Sequence, residues 1–265
     1  MNKKTYPGTQ SVQRAMSLLN AFTDTQPEWG LNDLAQAVDL NKTTAYRLLS
    51  ALEIEGIVAR DEHSGGYRLG PGAIILGGRA LRTNNLNIVS HTELGKLAEV
   101  TGETVTLEIL IDCDVLIIDQ VQGSHVLGAA QDIFTRWPAH ATSTGKVLLA
   151  YLPVILCEEL LSAPLERYTE NTITNLNELQ EELTRIRTRG YGTVYEELEL
   201  GFVACAAPIF NHNGRVDAAI SVGGPNVRFQ SERMQELVEV VLQAAGRISQ
   251  KIGFTGSEKD PIYRE

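Results

Sequence analysis

The chain has 265 residues, of which 43% are hydrophobic and 21% charged, and its formal net charge is −10 at pH 7. This composition excludes a disordered polypeptide, and the length predicts one or two domains. No apolar run approaches the about 18 residues of a membrane helix, and the N-terminal sequence MNKKTYPGTQ lacks the apolar segment of a secretory signal. The three cysteines match no zinc-binding or disulfide spacing. We therefore expect a soluble, cytoplasmic protein that contacts no membrane and holds no metal or other cofactor.

The charge is distributed unevenly along the chain. Residues 1–82 include 9 basic and 8 acidic residues, whereas residues 83–265 include 14 basic and 25 acidic ones. The excess of acidic residues therefore falls entirely in the larger C-terminal part, which predicts two domains with different partners. An acidic domain would also weaken non-specific adhesion of the chain to DNA.

Three short helices are predicted at the N-terminus, each preceded by a residue suited to helix capping. Ser11, Asn32 and Asn41 are these predicted caps. The apolar residues of the first helix recur at helical spacing and predict its buried face: Val12, Ala15, Met16, Leu19 and Phe22. Two strands, at 57–60 and 67–69, are predicted after the third helix and are joined by the turn DEHSGG.

The third helix has two distinct faces. One is apolar and predicted to be buried: Ala45, Leu48, Leu49 and Leu52. The other is polar and carries little charge: Thr43, Tyr46, Arg47 and Ser50. Three helices followed by a hairpin is the element order of a winged helix-turn-helix, whose third helix enters the major groove of DNA. A small helical bundle that binds other proteins has the same pattern, so the residues alone leave both interpretations open.

The end of this N-terminal module is marked by Gly70 and Pro71. Proline is favoured in the first turn of a helix, so residues 71–84 are predicted to form a linker helix that leads into a second domain. An ordinary connector between domains would have the same features.

The C-terminal part is predicted to mix strands and helices. Strands are predicted at 104–111, 115–121, 126–130, 191–195, 203–210 and 216–222. Helices are predicted at 86–100, from about 147, at 178–189 with Asn177 as the cap, and at 231–252. Because short turns such as Asn211–Gly214 join successive strands, we expect a mainly antiparallel sheet with the helices on one face. The chain is thus predicted to be α+β.

Several motifs resemble those of one bacterial family. SVQRAMSLLNAF, LNDLAQAVDLNKTTAYRLLSALEIEGIV and YRLG are similar to the DNA-binding domain of the IclR family of transcriptional regulators. HATSTGK, RGYGTVYEELELG, ACAAPIF and AISVGGP are similar to the effector-binding domain of that family. The resemblance spans residues 11–252. It implies a winged helix-turn-helix domain at 1–70, a linker helix at 71–84 that pairs between subunits, an effector-binding domain at 85–254 with a curved, mainly antiparallel sheet of the GAF or profilin type, and a tail at 255–265.

On this resemblance the protein is a ligand-responsive regulator and not an enzyme. It is expected to bind double-stranded DNA at an inverted-repeat operator, as a homodimer or as a dimer of dimers. The residues expected to face the major groove are Thr43, Thr44, Tyr46 and Arg47. Lys42 and Ser50 are expected to contact phosphates, and Arg68 to contact DNA from the wing. Whether binding represses or activates transcription is left open.

The loop HATSTGK precedes an apolar helix and suggests a ligand site. A helix N-terminus offers unpaired N–H groups and a partial positive charge, which suit a small anion. Helix capping by the hydroxyl groups is the alternative. The resemblance implies a cavity for a small effector, often a carboxylate, and the residues it assigns are Ser143, Thr144, Gly145, Val194, Tyr195, Ala204, Cys205, Ser221 and Gly223. Some members have acidic residues where this chain has Val194 and Tyr195, so we expect a small organic acid with an aromatic or alkyl part.

Two further sets of residues leave alternatives open. Glu108 lies opposite the apolar face of its predicted strand, which fits either solvent exposure or the rim of the pocket. His140 and Ser143 lie close in sequence, but no GxSxG motif surrounds Ser143 and no histidine has metal-binding spacing. We therefore expect no catalysis. The alternatives are a constitutive DNA-binding protein with an unoccupied sensor domain and an enzyme with a helix-turn-helix appendage.

Overall fold

Short amphipathic helices and a small sheet form the first of two units, Met1–Thr83 and Asn84–Glu265, into which the chain divides. The computed structural model describes residues 9–23, 25–61, 63–83, 85–125, 132–161 and 164–256. The helices of the first unit are α1 (Gln10–Asn20), α2 (Leu31–Ala37), α3 (Lys42–Ile54) and α4 (Pro71–Thr83). Its strands are β1 (Glu28–Trp29), β2 (Val58–Arg60) and β3 (Tyr67–Leu69), which pair antiparallel in the order β1-β3-β2. The predicted winged helix-turn-helix is confirmed.

The core of the first unit forms where the three N-terminal helices and the wing meet. Leu18 of α1, Leu34 of α2 and Leu49 of α3 are fully buried in it, and Tyr67 packs there from the wing. Complete burial of an apolar side chain of this size contributes about 1.5–3 kcal/mol. The side chain of Asn41 caps α3, as predicted, by accepting the N–H of Thr44 at 2.8 Å. These contacts fix the orientation of α3 within the unit.

Some details predicted for this unit are wrong. Ser11 and Asn32 are the second residues of their helices and do not cap them, because both helices begin one residue earlier. Val12 and Met16 are exposed, since α1 turns Leu18 towards the core instead. Strand β1 is absent from the predicted elements. It pairs with the wing strand β3, and two residues are too few to give a periodic signal.

The helix predicted at 71–84 is present as α4. Its first turn packs against the end of α3, where the N–H of Gly72 donates to the carbonyl of Gly56 at 2.8 Å. A β-carbon on Gly70 or Gly72 would overlap the backbone of Gly56, so this close approach requires glycine. Several apolar side chains of α4 are exposed within the unit: Ile74, Ile75 and Leu76.

The second unit is built on one antiparallel sheet of six strands. The strands are β4 (Thr104–Ile111), β5 (Asp114–Val121), β6 (Arg136–Pro138), β7 (Gly192–Tyr195), β8 (Phe202–Phe210) and β9 (Val216–Pro225). They pair in the order β6-β5-β4-β9-β8-β7. The helices are α5 (Asn85–Thr101), α6 (Ser143–Ala150), α7 (Val154–Leu160), α8 (Leu176–Arg189) and α9 (Ser231–Lys251), with short 3-10 turns at Ala139–Ala141 and Asn226–Arg228. The α+β class is confirmed.

Helices cover both faces of this sheet, which corrects the predicted arrangement with helices on one face. On one face, α5 and α9 pack against residues such as Leu107, Cys205 and Ile220. On the other, α6 contacts β8 and β9 and packs against α8, with Ala206 and Ala219 in the core between them. Small residues on the second face let α6 approach the sheet closely, and alanine in a strand gives little indication of such burial from sequence.

Other boundaries in the second unit also differ from prediction. The helix expected from about residue 147 begins at Ser143, and Asn175 caps α8 where Asn177 was expected. Helix α8 ends at the predicted residue 189, followed by Gly190, whose φ is positive. The strand predicted at 126–130 lies outside the described residues. None of the helices in the part of the chain that the structure describes is both long and apolar enough to cross a membrane.

Candidate functional site

The exposed face of α3 carries most of the residues predicted to contact DNA. Ala45 and Leu49 are fully buried, which turns the opposite side of the helix to solvent. The predicted residues on that side are Lys42, Thr43, Tyr46 and Arg47, which are exposed, and Thr44 and Ser50, which are half-buried. An exposed helical face with hydroxyl, phenol and guanidinium groups has the size and the donors to read base edges in a major groove.

The wing is held by a hydrogen-bonded turn beside this helix. Asp61 accepts the N–H groups of His63 and Ser64 at 2.9 and 2.8 Å, and the hydroxyl of Ser64 donates to Glu28 at 2.6 Å. The backbone N–H groups of Ser64 and His63 lower the pKa of Asp61. Arg68, the residue predicted to contact DNA from the wing, is exposed on β3. The turn therefore presents Arg68 on an ordered strand.

A pocket in the second unit lies between the sheet and the start of α6. The unfilled space within it is about 420 Å³ when open solvent is included, and about 30 Å³ of it can hold the centre of a water molecule. Six of the nine residues predicted for the effector line it: Ser143, Thr144, Val194, Ala204, Ser221 and Gly223. The remaining residues of the wall are Thr104, Thr106, Glu108, Trp137, Ala141, Thr142, Leu198 and Phe202. The wall thus combines hydroxyl groups with apolar and aromatic side chains.

Three residues predicted for the effector do not line this pocket. Cys205 pairs with Val222 and packs towards α9, because side chains alternate between the faces of a strand and Ala204 occupies the pocket side. Burial raises the pKa of the Cys205 thiol to about 12. Tyr195 follows Val194 on β7, does not line the pocket and is half exposed. Gly145 lies against the 3-10 turn, where a β-carbon would overlap the backbone of Ala139.

The start of α6 faces the pocket with its hydroxyl groups. Thr142 caps the helix by accepting the N–H of Gly145 at 3.2 Å, so the capping interpretation of this loop holds for Thr142. Ser143 and Thr144 are the first two residues of the helix, and both are buried in the pocket wall. A helix N-terminus carries a partial positive charge, which favours a negative group nearby.

Glu108 is buried in the wall of the pocket, which rules out the solvent-exposed interpretation. It accepts hydrogen bonds from the hydroxyls of Thr106 at 2.6 Å and Thr144 at 2.5 Å. The hydroxyls of Thr106 and Ser221 are 2.8 Å apart, so the network continues onto β9. Burial raises the pKa of Glu108, although both threonine hydroxyls favour its charged form.

Trp137 is a wall residue that the sequence interpretation missed. Its indole Nε1 is buried and has no hydrogen-bond partner among the described residues. Strand β6, which carries it, has only three residues and gives no periodic signal. For β4 a signal exists, because Thr104, Thr106 and Glu108 alternate with the core residues Val105 and Leu107.

Behind the pocket, a buried ion pair fixes α6 to the segment after β7. The ammonium of Lys146 lies 2.5 and 2.6 Å from the two carboxylate oxygens of Glu197. Burial lowers the pKa of Lys146 and raises that of Glu197, while their mutual attraction favours both charged forms. Thr172 adds a hydrogen bond to the Glu197 carbonyl at 2.7 Å. Lys146 thus serves the framework of the pocket and is not part of its lining.

His140 is engaged away from Ser143. Its Nε2 lies 2.9 Å from the carbonyl oxygen of Glu166, and its ring lies 6.0 Å from that of Tyr168. No group of three or more His, Cys, Asp or Glu residues suited to a metal ion occurs within the described residues.

Comparisons with known proteins match both parts of the chain to one family. The domain described as bacterial transcriptional regulator IclR C-terminal matches residues 78–250, and the IclR helix-turn-helix domain matches residues 11–62. The transcriptional repressor IclR of Escherichia coli (strain K12) is 34% identical to this chain over 247 residues, which cover 92% of this chain and 90% of that protein.

Solved structures extend this similarity to the fold. An IclR transcriptional regulator from Alicyclobacillus acidocaldarius has a TM-score of 0.81 and 30% identity, over 92% of this chain and 98% of that one. An IclR homologue from Microbacterium hydrocarbonoxydans, solved in complex with 4-hydroxybenzoate, has a TM-score of 0.79 and 26% identity, over 91% and 98% of the two chains. With family domains matched over most of its length, the chain belongs to the IclR family of bacterial transcriptional regulators.

Proposed function

We propose that the protein is a ligand-responsive, DNA-binding transcriptional regulator, in which a small organic acid bound by the second unit changes operator binding by the winged helix-turn-helix. The observation that carries this proposal is the pocket at the start of α6, built in a chain that also has an exposed recognition face on α3. On this proposal residues 1–70 bind DNA, 71–84 form the linker, 85–254 bind the effector and 255–265 are a tail. The protein acts in the cytoplasm, where its operator lies, and catalyses no reaction.

The DNA-binding half of the proposal rests on α3 and the wing. Thr43, Thr44, Tyr46 and Arg47 are the residues that read bases, while Lys42 and Ser50 contact phosphates and Arg68 binds from the wing. The operator is double-stranded DNA with an inverted repeat, because the protein acts as a homodimer or as a dimer of dimers.

The effector half rests on the composition of the pocket wall. The start of α6 with the hydroxyl of Ser143, and the indole N–H of Trp137, supply donors that suit a carboxylate. Val194, Leu198 and Phe202 supply apolar surface for an alkyl or aromatic part. The 4-hydroxybenzoate bound by the Microbacterium relative is an acid of this kind and supports the assignment.

The test is the affinity for a DNA duplex taken from upstream of the protein's own gene, measured by fluorescence anisotropy at fixed salt with and without a panel of carboxylic acids. A regulator of this kind changes its DNA affinity about 5–150-fold when its effector binds, which corresponds to a coupling free energy of about 1–3 kcal/mol. If no acid changes the affinity, the constitutive DNA-binding alternative is preferred.

Arg47→Ala tests the recognition face directly. We expect it to weaken operator binding by about 1–3 kcal/mol if Arg47 reads a guanine. Arg185→Ala is the matched control, since Arg185 is an exposed arginine of α8 in the second unit. Equal operator affinity of Arg47→Ala and the wild type would remove Arg47 from the residues that read bases.

A further inference from the structure

The wall of the pocket contains an acidic side chain but no basic one among the described residues. Of the lining residues within the described part of the chain, Glu108 is the one with an ionisable acidic or basic side chain. The nearby ammonium of Lys146 is bound to both oxygens of Glu197 and lies outside the wall. The one formal charge that the pocket can carry is therefore negative, although its proposed effector is an acid.

Glu108 has no cationic partner among the described residues, unlike the other buried carboxyl groups that the structure describes. Glu93 contacts Lys251, Arg247 and Lys96, and Glu103 contacts Arg228. Asp119 faces His91, and Glu197 faces Lys146. The two hydrogen bonds to Glu108 both come from neutral threonine hydroxyls. A buried carboxylate is costly without an opposite charge, so this site lacks a group that the other sites have.

The oxygens of Glu108 keep acceptor capacity for such a group. A carboxylate has about four lone-pair sites on its two oxygens, and the two threonines use one on each. Thr106 links this carboxyl to Ser221, so the polar wall extends from β4 to β9. A donor that enters the pocket can therefore reach Glu108 without displacing its present partners.

Trp137 contributes a buried hydrogen-bond donor to the same wall. Its buried Nε1 donor has no acceptor among the described residues, and leaving a buried donor unsatisfied is unfavourable. The wall thus offers an acceptor with negative charge and an unused donor. A ligand that satisfies both must carry a positive donor group and an oxygen acceptor.

We infer that the effector carries a protonated amine that pairs with Glu108, together with a carboxylate or other oxygen acceptor that receives the indole N–H of Trp137. The ligand class is therefore small amino acids and other amino-substituted carboxylic acids. This inference rests on the proposed function only in taking this pocket as the effector site. An ammonium adds Coulomb attraction to the hydrogen bond, and a buried site screens this attraction weakly, which favours an amine over a hydroxyl at an ionised Glu108.

The experiment is isothermal titration calorimetry of the full chain with sets of three acids that differ in one group. The sets are glycine, glycolate and acetate; alanine, lactate and propionate; γ-aminobutyrate, γ-hydroxybutyrate and butyrate; and the p-aminomethyl, p-hydroxymethyl and p-methyl benzoates. In at least one set we expect the aminated acid to bind at least about tenfold more tightly than both counterparts. Within each set the carbon skeleton and the carboxylate are constant, so the difference reports the amine.

Variants then test which pocket residues cause the tighter binding of aminated acids. Glu108→Gln keeps the size of the side chain and is expected to abolish the preference for the amine. Trp137→Phe is expected to weaken all members of the binding set by a similar factor. Glu181→Gln removes an exposed acid of α8 and is the control for a change in overall charge. Thermal melting of each variant establishes that it is folded before its affinity is interpreted.

Several outcomes overturn the inference. It fails if the hydroxylated or unsubstituted acid binds as tightly as the aminated one, if no aminated acid binds at millimolar concentration, or if folded Glu108→Gln keeps the amine preference. The proposed function fails separately, if an acid that binds by calorimetry leaves the affinity for the operator duplex unchanged. An unsubstituted acid that binds and changes operator affinity would retain the regulator and reject the amine.

Discussion

Two regions of the second unit bury carboxyl groups in different ways. At the junction of α5 and α9, Glu93 is 1% exposed and accepts hydrogen bonds from Lys251 and Arg247 at 2.7 Å and from Lys96 at 3.1 Å. Burial alone would raise the pKa of Glu93, but these three cations outweigh it and lower the pKa to about 2. In the pocket, Glu108 is also buried but is held by hydroxyl groups.

The difference distinguishes a carboxyl group that stabilises the fold from one that the fold only tolerates. Glu93 joins two helices because its counter-charges come from both of them. Glu108 forms no ion pair with the described residues, and burial raises its pKa. Buried polar groups that are incompletely satisfied tend to occur at functional sites. Comparing how buried acids are partnered therefore separates framework from binding site without knowledge of the ligand.

The largest effect on stability is expected from removing Lys146, the buried cation of the ion pair with Glu197. Lys146→Met leaves Glu197 buried without its cation, which should reduce the free energy of unfolding by about 3–5 kcal/mol. Lys96→Met is the matched control. Lys96 pairs with Glu93 from a side chain that is 58% exposed, so its loss should cost less than about 1 kcal/mol. Urea denaturation measures both.

Equal losses for these two lysine variants would contradict the distinction. The double variant Lys146→Met, Glu197→Met sharpens the test, because replacing both partners by apolar residues removes the unpaired charge. We expect it to recover most of the lost stability. If the double variant is as unstable as Lys146→Met, packing rather than charge explains the loss.

Glu93→Gln is expected to have the next largest effect. The pKa of Glu93 is lowered from 4.5 to about 2, so its stabilising contribution is present above pH 4.5 and is lost as the pH falls towards 2. Allowing for the solvent exposure of its cations, we expect a loss of about 2 kcal/mol at pH 7. The gap between variant and wild type should narrow in acid. Glu99→Gln, at an exposed position of the same helix, should change little, and a loss independent of pH would contradict the ion-pair explanation.

The sequence predicts the bounds of single helices and strands better than the contacts between them. Strand β4 has the predicted bounds, and Asn41 caps α3 as predicted, since both depend on neighbouring residues. The exposed face of α3 follows from helical periodicity because one helix carries it whole. Strand β1 depends on its pairing with β3, from which it is separated by about 40 residues, and it was missed.

The pocket could be predicted only in part, because several elements contribute to it. Ser221 and Gly223 were assigned from the family resemblance, whereas Cys205 was placed on the wrong side of its strand. Alternation along β4 put Glu108 opposite the core, but the sequence could not say whether helix or solvent covers that face. The start of α6 covers it, and that contact links residues 36 positions apart. No local pattern reports such a contact.

Glu108→Gln should give the smallest change in stability, with a sign opposite to that of Glu93→Gln. Because the pKa of Glu108 is raised in the folded state, its protonated form is favourable below pH 4.5, and this advantage is lost as the pH rises through the folded-state value. A glutamine keeps an uncharged group of the same size there. At pH 7 we expect the variant to be more stable by about 1 kcal/mol, or about 2–4 °C in melting temperature. The difference should close as the pH is lowered below 4.5.

The control for this prediction is Glu181→Gln, whose melting temperature should follow the wild type across the same pH range because Glu181 is exposed. A variant Glu108→Gln that melts below the wild type at pH 7 would mean that the carboxylate stabilises the empty pocket. It would then be a framework group like Glu93. A variant that is more stable and yet binds aminated acids more weakly would mean that the negative charge costs stability and serves binding, since binding sites commonly trade stability for function.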